Sequence, residues 1–474
     1  MSDTLQIERV DATTWRDACS SAARDGWRFS SLHAAAGEVR ALFVRAADQR
    51  LLTCTAHPDA AGNLAVPTLV DLFAAAGWDE REAHDLHGIG FTGHTPLRPL
   101  VRHSDNLAQW TVPVAGEDVH QVAVGPVHAG VTESGHFRFH VVGERVIHVD
   151  LRLFHKHRGL ERAAEGLPVA DAIAYAQRAC AACAVTNTVA YAQAAEQGLG
   201  LWPDAALARE RTLLLELERL YNHLNDIAAI CGGVSFAAGG MAFQALKEQA
   251  QRVNATLTGH RFLFGSVAVG EGRLRIDAGL AQAAREELRS IQAQADRAWR
   301  AILFNGSVQE RLDLVGVLAP EVARELGAVG PAARASGSDR DTRTHSPRLH
   351  YPGFVAARPA APTGDVQRRF ELRAAELPTS FAILDELLAG PLSPGGTQRD
   401  RDAVATGAAL VESPRGETAA VLDLDPAGLV TRFHLRTGSY RNWPAVGHAV
   451  ANNLLPDFPL INKSFELCYA CADR

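Results

Sequence analysis

Short apolar runs dominate the first part of the chain, and their spacing predicts a small mixed domain. Residues 39–45 and 50–55 predict two neighbouring strands joined by a turn at residues 46–49. Residues 67–73 open with a proline ahead of apolar positions, which predicts the start of a helix. Residues 77–98 are dense in charge, glycine and histidine and predict a helix followed by an ordered loop.

Helical spacing dominates the middle of the chain. Residues 207–230 and 280–302 place apolar side chains on one helical face, which predicts two long amphipathic helices. Residues 325–365 are rich in Gly, Pro, Arg and Ser and show no clear period. That stretch is either a mobile loop or an ordered insert over a site.

Strand patterns flank the helical region. Residues 137–150 predict a β-hairpin that turns at Gly143 and Glu144, and residues 418–424 and 428–436 predict further short strands. We therefore predict an α+β fold, in which a small N-terminal α/β domain precedes a large, mainly helical domain with peripheral β-hairpins. The predicted boundaries are residues 1–105 for the first domain, 106–120 for a polar linker and 121–474 for the second.

Composition and charge exclude several classes of protein. The formal net charge of −7 over 474 residues argues against nucleic acid as the main partner. No run of 18 apolar residues occurs, so we expect no membrane span. The N-terminus lacks a signal-peptide pattern, which favours a cytoplasmic protein with reduced thiols.

The seven cysteines divide into lone residues and pairs. Cys19, Cys54 and Cys231 stand alone, and a lone cysteine is most often a small buried hydrophobe.

The other four cysteines form two C-x-x-C pairs, Cys180 with Cys183 and Cys468 with Cys471. Thiolates suit soft metals, and two such pairs offer four ligands, although inert thiols remain the alternative. Nearly 300 residues separate the pairs, which is unlike a zinc ribbon, and neither pair lies in the βαβ context of a thioredoxin-like redox motif. The pattern favours a metal site inside a finished fold without naming the metal.

One stretch resembles the signature of the 30 kDa subunit family of respiratory complex I, roughly E-R-E-x-x-D-x-x-G-x-x-F-x-G-H-P-x-L-R. The matching residues are Glu80, Arg81, Glu82, Asp85, Gly88, Phe91, Gly93, His94, Leu97 and Arg98. The resemblance implies a docking and assembly domain. From charge alone, the acidic residues would instead form a solvated helix face.

The cysteine pairs and their surroundings resemble the large subunits of group 4 [NiFe] hydrogenases, of the formate hydrogenlyase and hydrogenase-4 type. These are relatives of the 49 kDa subunit of complex I, which lacks the cysteines. Further resembling segments are residues 125–130, 135–139, 157–161, 216–223, 257–262, 334–341, 412–417 and 436–444. The resemblance implies a NiFe-hydrogenase and 49 kDa-like catalytic domain fused to the 30 kDa-like domain.

The resemblance also implies ligands for a Ni-Fe centre. Cys180 and Cys468 would be terminal nickel ligands, while Cys183 and Cys471 would bridge nickel to an iron that carries CO and cyanide. Heterolytic cleavage of hydrogen would then release a proton, with Cys468 as its first acceptor.

Two further site residues follow from the same motifs. Glu161 would be the next proton carrier, and Arg415 matches the arginine that lies over the open metal position. Considered without the motifs, Glu161 would pair with Arg158 or Arg162, and Arg415 would be a solvated loop residue.

A run on the helix of residues 207–230 also matches the family. Glu218, Arg219, Asn222 and His223 form either a layer around the ligands or a buried structural cluster, and we favour the latter.

The chain departs from the family pattern around the ligands. Ala181 replaces a glycine, Asn187 a histidine, Gln177 a glutamate, and Glu466 with Leu467 an Asp-Pro pair. The layer around the thiols is therefore altered, because asparagine donates a hydrogen bond but has no titratable proton. The family also carries a C-terminal extension, removed after the position of Arg474, so this chain is either the processed form or encoded without it.

The implied function is that of a hydrogenase catalytic subunit, peripheral on the cytoplasmic side of the membrane. Its implied partners are a small subunit with a [4Fe-4S] cluster, antiporter-like membrane subunits, and a ferredoxin-like or formate dehydrogenase electron partner. Two alternatives remain open: a non-catalytic coupling subunit of a complex I-like assembly, and a zinc-stabilised scaffold.

Overall fold

The computed structural model describes residues 4–35, 37–46, 48–128 and 133–474 and confirms the α+β class. The strands are β1 Leu5–Val10, β2 Arg28–Ala35, β3 Glu38–Arg45, β4 Asp48–Thr55, β5 His57–Pro58, β6 Leu64–Pro67, β7 Gly90–Thr92, β8 His120–Val124, β9 His136–Val142, β10 Arg145–Arg152, β11 Leu201–Pro203, β12 Thr397–Arg399, β13 Thr406–Ser413, β14 Gly416–Leu424 and β15 Val430–Arg436. The helices are α1 Trp15–Arg24, α2 Ala76–His87, α3 Leu160–Ala163, α4 Val169–Arg178, α5 Ala184–Gly198, α6 Ala205–Gly233, α7 Ala237–Thr258, α8 Ala278–Leu303, α9 Gly306–Leu312, α10 Pro320–Glu325, α11 Gly330–Ala335, α12 Val366–Leu387, α13 Gly438–Val450, α14 Phe458–Phe465 and α15 Tyr469–Asp473.

The N-terminal region is built on a four-stranded sheet in the order β1-β4-β3-β2. The predicted strand pair is confirmed as β3 and β4, which run antiparallel, while β1 joins β4 in parallel. Trp15, Leu32, Phe43 and Leu52 are buried in one cluster beneath this sheet. Cys19 and Cys54 belong to the same cluster, as expected of lone cysteines.

The helix predicted over residues 67–73 is wrong. Pro67 ends β6, which pairs in parallel with β7, and the next residues form turns before α2 begins at Ala76. Glu80 of α2 holds this turn, because its carboxylate accepts hydrogen bonds from the hydroxyl of Thr68 and the backbone N–H of Leu69, each at 2.6 Å. The N–H of Leu69 is thus bonded to a side chain from the following helix and not to a helical carbonyl, so the turn is held in place of a helix.

The charged stretch on α2 is buried rather than solvated. Glu80, Glu82 and Asp85 are each less than 5% exposed. Asp85 accepts hydrogen bonds from three consecutive backbone N–H groups, those of residues 100–102. Glu82 forms ion pairs with Arg436 and Arg474 near the end of the chain. Glu82 therefore joins the N-terminal region to the rest of the molecule, while Asp85 orders the end of the N-terminal region itself.

The second region is organised around α6 at its centre. The predicted helices are confirmed as α6 and α8, each begun by an aspartate whose side chain accepts a backbone hydrogen bond: Asp204 from Leu207 and Asp277 from Leu280. The predicted hairpin is confirmed as the antiparallel pair β9 and β10. The segment of residues 125–130, which resembles the family and precedes this hairpin, includes Ala129 and Gly130, and these two lie outside the described residues.

The C-terminal strands form an antiparallel sheet in the order β13-β14-β15, which confirms the predicted strands. Residues 325–365 are an ordered insert that contains α11 and a 3-10 turn at Thr342–His345. Arg334, Asp341 and Arg343 of this insert are buried ion-pair partners.

The two regions pack together through their sheets. Leu42, Val44 and Leu51 of the N-terminal sheet form a buried cluster with Ala408, Ala419 and Val421 of the C-terminal sheet. Within the part of the chain that the structure covers, no helix is both long and apolar enough to span a membrane.

Candidate metal centre

The fold brings both C-x-x-C pairs together. The sulfur atoms of Cys180, Cys183 and Cys471 lie within 4.8 Å of one another, and the sulfur of Cys468 lies 3.0 Å from that of Cys180. The first three side chains are at most 5% exposed, and Cys468 is half-buried. We call these four residues the thiol cluster.

The elements around each pair explain the convergence. Cys180 and Cys183 lie in the turn between α4 and α5, and α6 holds this turn because the Asn222 amide donates a 2.8 Å hydrogen bond to the carbonyl of Ala182. Cys468 and Cys471 lie at the start of α15, where Cys468 is the N-cap.

The end of the chain is tied down by the protein itself. The Asp473 carboxylate accepts hydrogen bonds from the backbone N–H groups of Phe154 at 2.7 Å and Lys156 at 2.9 Å. The carbonyl of Arg474 accepts another from the N–H of Arg158 at 2.7 Å. A terminus usually frays, so these bonds fix the position of α15 and its two thiols.

Close packing of the thiols separates their pKa values. Hydrogen bonds from Cys180 and Cys471 lower the pKa of the Cys183 thiol to about 6. Donation to Cys180 raises the pKa of Cys468 to about 12, and the same kind of contact raises the pKa of Cys471 well above its ordinary value. The cluster thus retains protons that a bound cation would displace, because metal binding requires thiolates.

Arg415 is buried beside the thiol cluster, so the alternative of a solvated loop residue is wrong. Its guanidinium donates to the side-chain oxygens of Asn222 at 2.6 Å and Asp226 at 2.9 Å and to the carbonyl of Glu466 at 2.9 Å. Burial alone would lower the pKa of Arg415, but Asp226 and Cys183 outweigh it and raise this pKa. The result is a fixed positive charge next to the thiols.

The turn that carries Arg415 requires a glycine at its end. Gly416 has a φ of 117°, and a Cβ atom there would lie 2.6 Å from the backbone nitrogen of Gly330. Only glycine permits this close approach of β14 to α11, which sets the position of the preceding arginine.

Glu161 lies away from the partners that local sequence suggests. Arg158 donates to the carbonyls of Arg178 and Ala179, whereas Glu161 accepts from Arg474 at 2.8 Å and from the N–H of Leu435 at 2.7 Å. The carboxylate therefore contacts the end of α15 through Arg474, and its described hydrogen bonds are not with a cysteine.

The four polar residues predicted on α6 divide between the two roles considered for them, a layer around the ligands and a buried structural cluster. Asn222 contacts the cysteine turn and Arg415, and Glu218 accepts hydrogen bonds from the N–H groups of Val185 at 2.6 Å and Thr186 at 3.1 Å at the start of α5. Arg219 and His223 instead pair with Glu376 in a buried ion network.

Sequence reasoning missed Asp226. Its carboxylate bridges Arg415 at 2.9 Å and Arg373 at 2.8 Å and is fully buried. Asp226 lies four residues after Asn222 on α6, so helical spacing places both on one face and could have suggested it.

The residues present fit a soft metal centre. Four sulfur atoms, three buried and that of Cys468 half-buried, are the donor set that such metals prefer. Asn187, one helical turn after Cys183, is fully buried, and neither atom of its side-chain amide has a hydrogen-bond partner. This buried amide, one helical turn from a cysteine, leaves hydrogen-bonding capacity for a bound group or an ordered water.

Comparisons with known proteins identify the family. The family model of the 30 kDa subunit of respiratory-chain NADH dehydrogenase matches residues 9–114, and that of its 49 kDa subunit matches residues 235–406. Formate hydrogenlyase subunit 5 of Escherichia coli (strain K12) is 30% identical over 443 residues, which cover 86% of this chain and 77% of the relative. The chain belongs to the family of formate hydrogenlyase subunit 5.

Other members and a solved structure agree with this family. Hydrogenase-4 component G of Escherichia coli (strain K12) is 28% identical over 437 residues, or 86% of this chain and 76% of the relative. One chain of the membrane-bound sulfane sulfur reductase, an archaeal respiratory membrane complex, aligns with a TM-score of 0.69 and 25% identity. That alignment covers 77% of this chain and 100% of the other. The resemblance drawn from the motifs is thereby confirmed.

Proposed function

We propose that this chain is the catalytic large subunit of a membrane-associated [NiFe] hydrogenase that interconverts hydrogen with protons and electrons. The observation that carries the proposal is the thiol cluster, in which two distant C-x-x-C pairs meet in a buried site beside the Arg415 guanidinium. Two relatives support it: formate hydrogenlyase subunit 5 at 30% identity and hydrogenase-4 component G at 28% identity, each aligned over 86% of the chain.

The four thiols would hold the centre as the family motifs imply. Cys180, Cys183, Cys468 and Cys471 would together hold a Ni-Fe centre whose iron carries CO and cyanide. The bound group would supply heterolytic cleavage of hydrogen.

Side chains of the protein would supply a fixed positive charge at the centre and carry the released proton away from it. Arg415 is held by Asn222, Asp226 and the Glu466 carbonyl, so it presents a fixed positive charge without reorganisation. Cys468 would hold the released proton on its sulfur, and Glu161 would be the next carrier.

The wider assembly follows from the same proposal. A docking domain of residues 1–105 and a linker of residues 106–120 would precede the catalytic domain of residues 121–474. Electrons would pass to a [4Fe-4S] cluster in a small subunit and then to a ferredoxin-like or formate dehydrogenase partner. Antiporter-like membrane subunits would hold the complex on the cytoplasmic face of the membrane.

Metal analysis tests the proposal directly. The protein should be purified without oxygen from its own cells, and its nickel, iron and zinc content measured alongside an infrared scan for CO and cyanide bands. We expect nickel, iron and those bands in the natural protein, and their loss in Cys468→Ser. Cys231→Ala is the matched control, because Cys231 is a fully buried thiol outside the cluster.

The same measurement separates the alternatives. A coupling subunit without a centre is favoured by the altered residues Ala181, Asn187 and Glu466, and it would contain no metal. A zinc scaffold would use the same four thiols and contain zinc alone. Either result would overturn the hydrogenase proposal.

A further inference from the structure

Arg474 is buried although it follows the short helix α15 directly. Its side chain is 1% exposed, and a guanidinium removed from water needs partners of opposite charge. It pairs with Glu82 of α2 at 2.5 Å and with Glu161 at 2.8 Å, and it donates to the carbonyl of Leu435 at 2.8 Å. One of its two carboxylate partners thus comes from the N-terminal region.

Glu82 balances the charges at this junction. Its carboxylate pairs with Arg436 at 3.0 Å as well as with Arg474. Both guanidiniums also lie over the ring of Tyr440, at 4.3 and 4.9 Å from its centroid. Burial alone would raise the pKa of Glu82, but the two arginines outweigh it and hold this pKa at about 2. Glu82 is therefore charged at neutral pH and keeps two like charges together around one ring.

The helix α15 connects Arg474 to the thiol cluster. Cys468 caps the start of this five-residue helix, and Cys471 lies inside it. The N–H of Arg474 donates to the carbonyl of Ala470 at 3.0 Å, so the arginine is less than one helical turn from Cys471. An isolated helix of fewer than about 12 residues is marginal in water, so α15 depends on contacts with the rest of the molecule.

Both regions supply such contacts. The large region binds α15 through the carboxylate of Asp473 and through Thr437, whose hydroxyl donates to the carbonyl of Cys471 at 3.2 Å. The N-terminal region reaches α15 through Glu82 and Arg474. Loss of the Glu82 contact should therefore loosen α15 without detaching it.

We propose that Glu82 is a positioning residue for the metal centre, because it acts through Arg474 to hold Cys468 and Cys471 against the first cysteine pair. Docking of the N-terminal region then completes the thiol cluster. Metal binding strengthens that docking by the same factor, because coupling between two sites is reciprocal. The inference rests on the proposed function only in that the thiol cluster binds a metal, and it does not depend on which metal.

Thiol labelling of the metal-free, full-length chain tests the position of α15 independently of activity. The reduced protein is treated with N-ethylmaleimide under native conditions, and mass spectrometry follows each cysteine. Cys471 is fully buried, and we expect Glu82→Gln to speed its labelling by about tenfold through local opening of α15. Cys231 is the internal control, because it is equally buried but lies on α6, and its labelling rate should not change.

Asp79→Asn is the matched control variant. Asp79 also lies on α2, is buried and pairs with Arg436 at 2.6 Å across the same junction, but its described contacts do not include Arg474. The proposal predicts faster labelling of Cys471 in Glu82→Gln alone. Equally fast labelling in Asp79→Asn would show that any lost ion pair at the junction has this effect, and would overturn the proposal.

Titration with cobalt(II) measures the metal site itself. The thiolate charge-transfer absorption of bound cobalt reports sulfur ligands directly. We expect Glu82→Gln to raise the cobalt Kd by about tenfold, as for other residues that support metal ligands. The double variant with Arg474→Gln should bind no more weakly than Arg474→Gln alone, because Glu82 acts through that arginine. Losses that add in the double variant would mean that Glu82 acts by another route, and would overturn the proposal.

Hydrogen exchange covers the case in which Glu82 variants fail to fold. Arg474→Gln leaves the sequence of α2 unchanged. In the natural chain, cobalt should slow exchange of the α2 backbone amides, because metal binding strengthens docking. We expect Arg474→Gln to lose this slowing, and equal slowing in the two chains would contradict the coupling.

These outcomes are separate from the test of the hydrogenase function. Unchanged Cys471 labelling and an unchanged cobalt Kd in folded Glu82→Gln would overturn the positioning role and leave the hydrogenase proposal standing. Zinc alone in the protein from its own cells would overturn the hydrogenase proposal, while the cobalt titration would still decide the role of Glu82.

Discussion

At the scale of single residues, Asp226 is the strongest test of the site's electrostatics. It is fully buried and bridges two arginines, Arg373 and Arg415, at 2.8 and 2.9 Å. Removing one partner of a buried ion pair leaves the other charge uncompensated, which costs about 3–5 kcal/mol. We expect Asp226→Asn to lower the free energy of unfolding of the metal-free protein by that amount, measured by urea titration.

A second aspartate provides a matched control for this prediction. Asp385 also bridges two arginines, Arg285 and Arg289, at 2.9 and 2.8 Å, but its side chain is 36% exposed. Solvent screens such a pair, so Asp385→Asn should cost a small fraction of the Asp226→Asn effect. Equal losses in the two variants would show that burial of the Asp226 bridge does not matter.

The residue scale also shows how far the sequence could predict the site. The spacing of the two C-x-x-C pairs predicted the four thiols as one site, and the family resemblance alone added Arg415. Burial of Arg415 could not be predicted, since its partners Asn222 and Asp226 lie about 190 residues away. Nothing local distinguishes a buried loop arginine from a solvated one.

At the scale of elements, α5 depends on a distant side chain for its first turn. It follows Cys183 directly, and its N-cap supplies no side-chain hydrogen bond. Glu218 of α6 fills that role for Val185 and Thr186, so a carboxylate on one helix satisfies the free N–H groups of another. Through α5 this contact also fixes the first cysteine turn.

We expect Glu218→Ala to lower the free energy of unfolding by about 1–3 kcal/mol, because two buried N–H groups lose their acceptor. Denaturant unfolding of the metal-free protein measures the change. Glu218→Gln keeps an acceptor oxygen in place and serves as the control. If both variants lose equally, the charge and not the capping bond stabilises α5.

The wrong prediction of a helix at residues 67–73 also arises from a side chain that lies outside the local sequence window. Proline followed by apolar residues is a helix signal within a short window, but the Glu80 carboxylate lies outside that window and binds the turn instead. The helix α8 was predictable because its own periodicity dictates which face is buried. The helix α6 was predictable as a helix, but the burial of its charged residues was not.

At the scale of the whole molecule, contacts between the two regions converge at α15, which carries Cys471. Glu82 of the N-terminal region pairs with Arg474, and Arg474 also binds Glu161, so one arginine joins both regions to α15. The sequence predicted each region separately, since each has its own motifs. Their junction depends on pairs about 390 residues apart, such as Glu82 with Arg474, which no pattern along the chain connects.

The sheet-to-sheet junction gives the last prediction, which concerns pH. Glu417 of β14 pairs with Arg28 of β2 and with Arg441 of α13. Burial alone would raise the pKa of Glu417, but the two guanidiniums outweigh it and hold this pKa at about 2. The unfolded chain has the ordinary value of 4.5, so the unfolded state binds the proton first as the pH falls. The pair therefore stabilises the fold fully above pH 4.5 and loses that contribution between pH 4.5 and about 2.

We expect Glu417→Gln to be about 3 kcal/mol less stable than the natural protein at neutral pH, from a pKa difference of roughly 2.5 units. This gap should narrow as the pH falls below 4.5, because protonation removes the same charge from the natural protein. Urea titrations at pH 7, 4.5 and 3.5 measure both changes. Glu8→Gln is the control, because Glu8 pairs with Arg50 inside the N-terminal sheet and its side chain is 42% exposed. Its free energy of unfolding should differ little from that of the natural protein at any of these pH values. A Glu417→Gln gap that stays constant with pH would mean that its hydrogen bonds, and not its charge, hold the two sheets together.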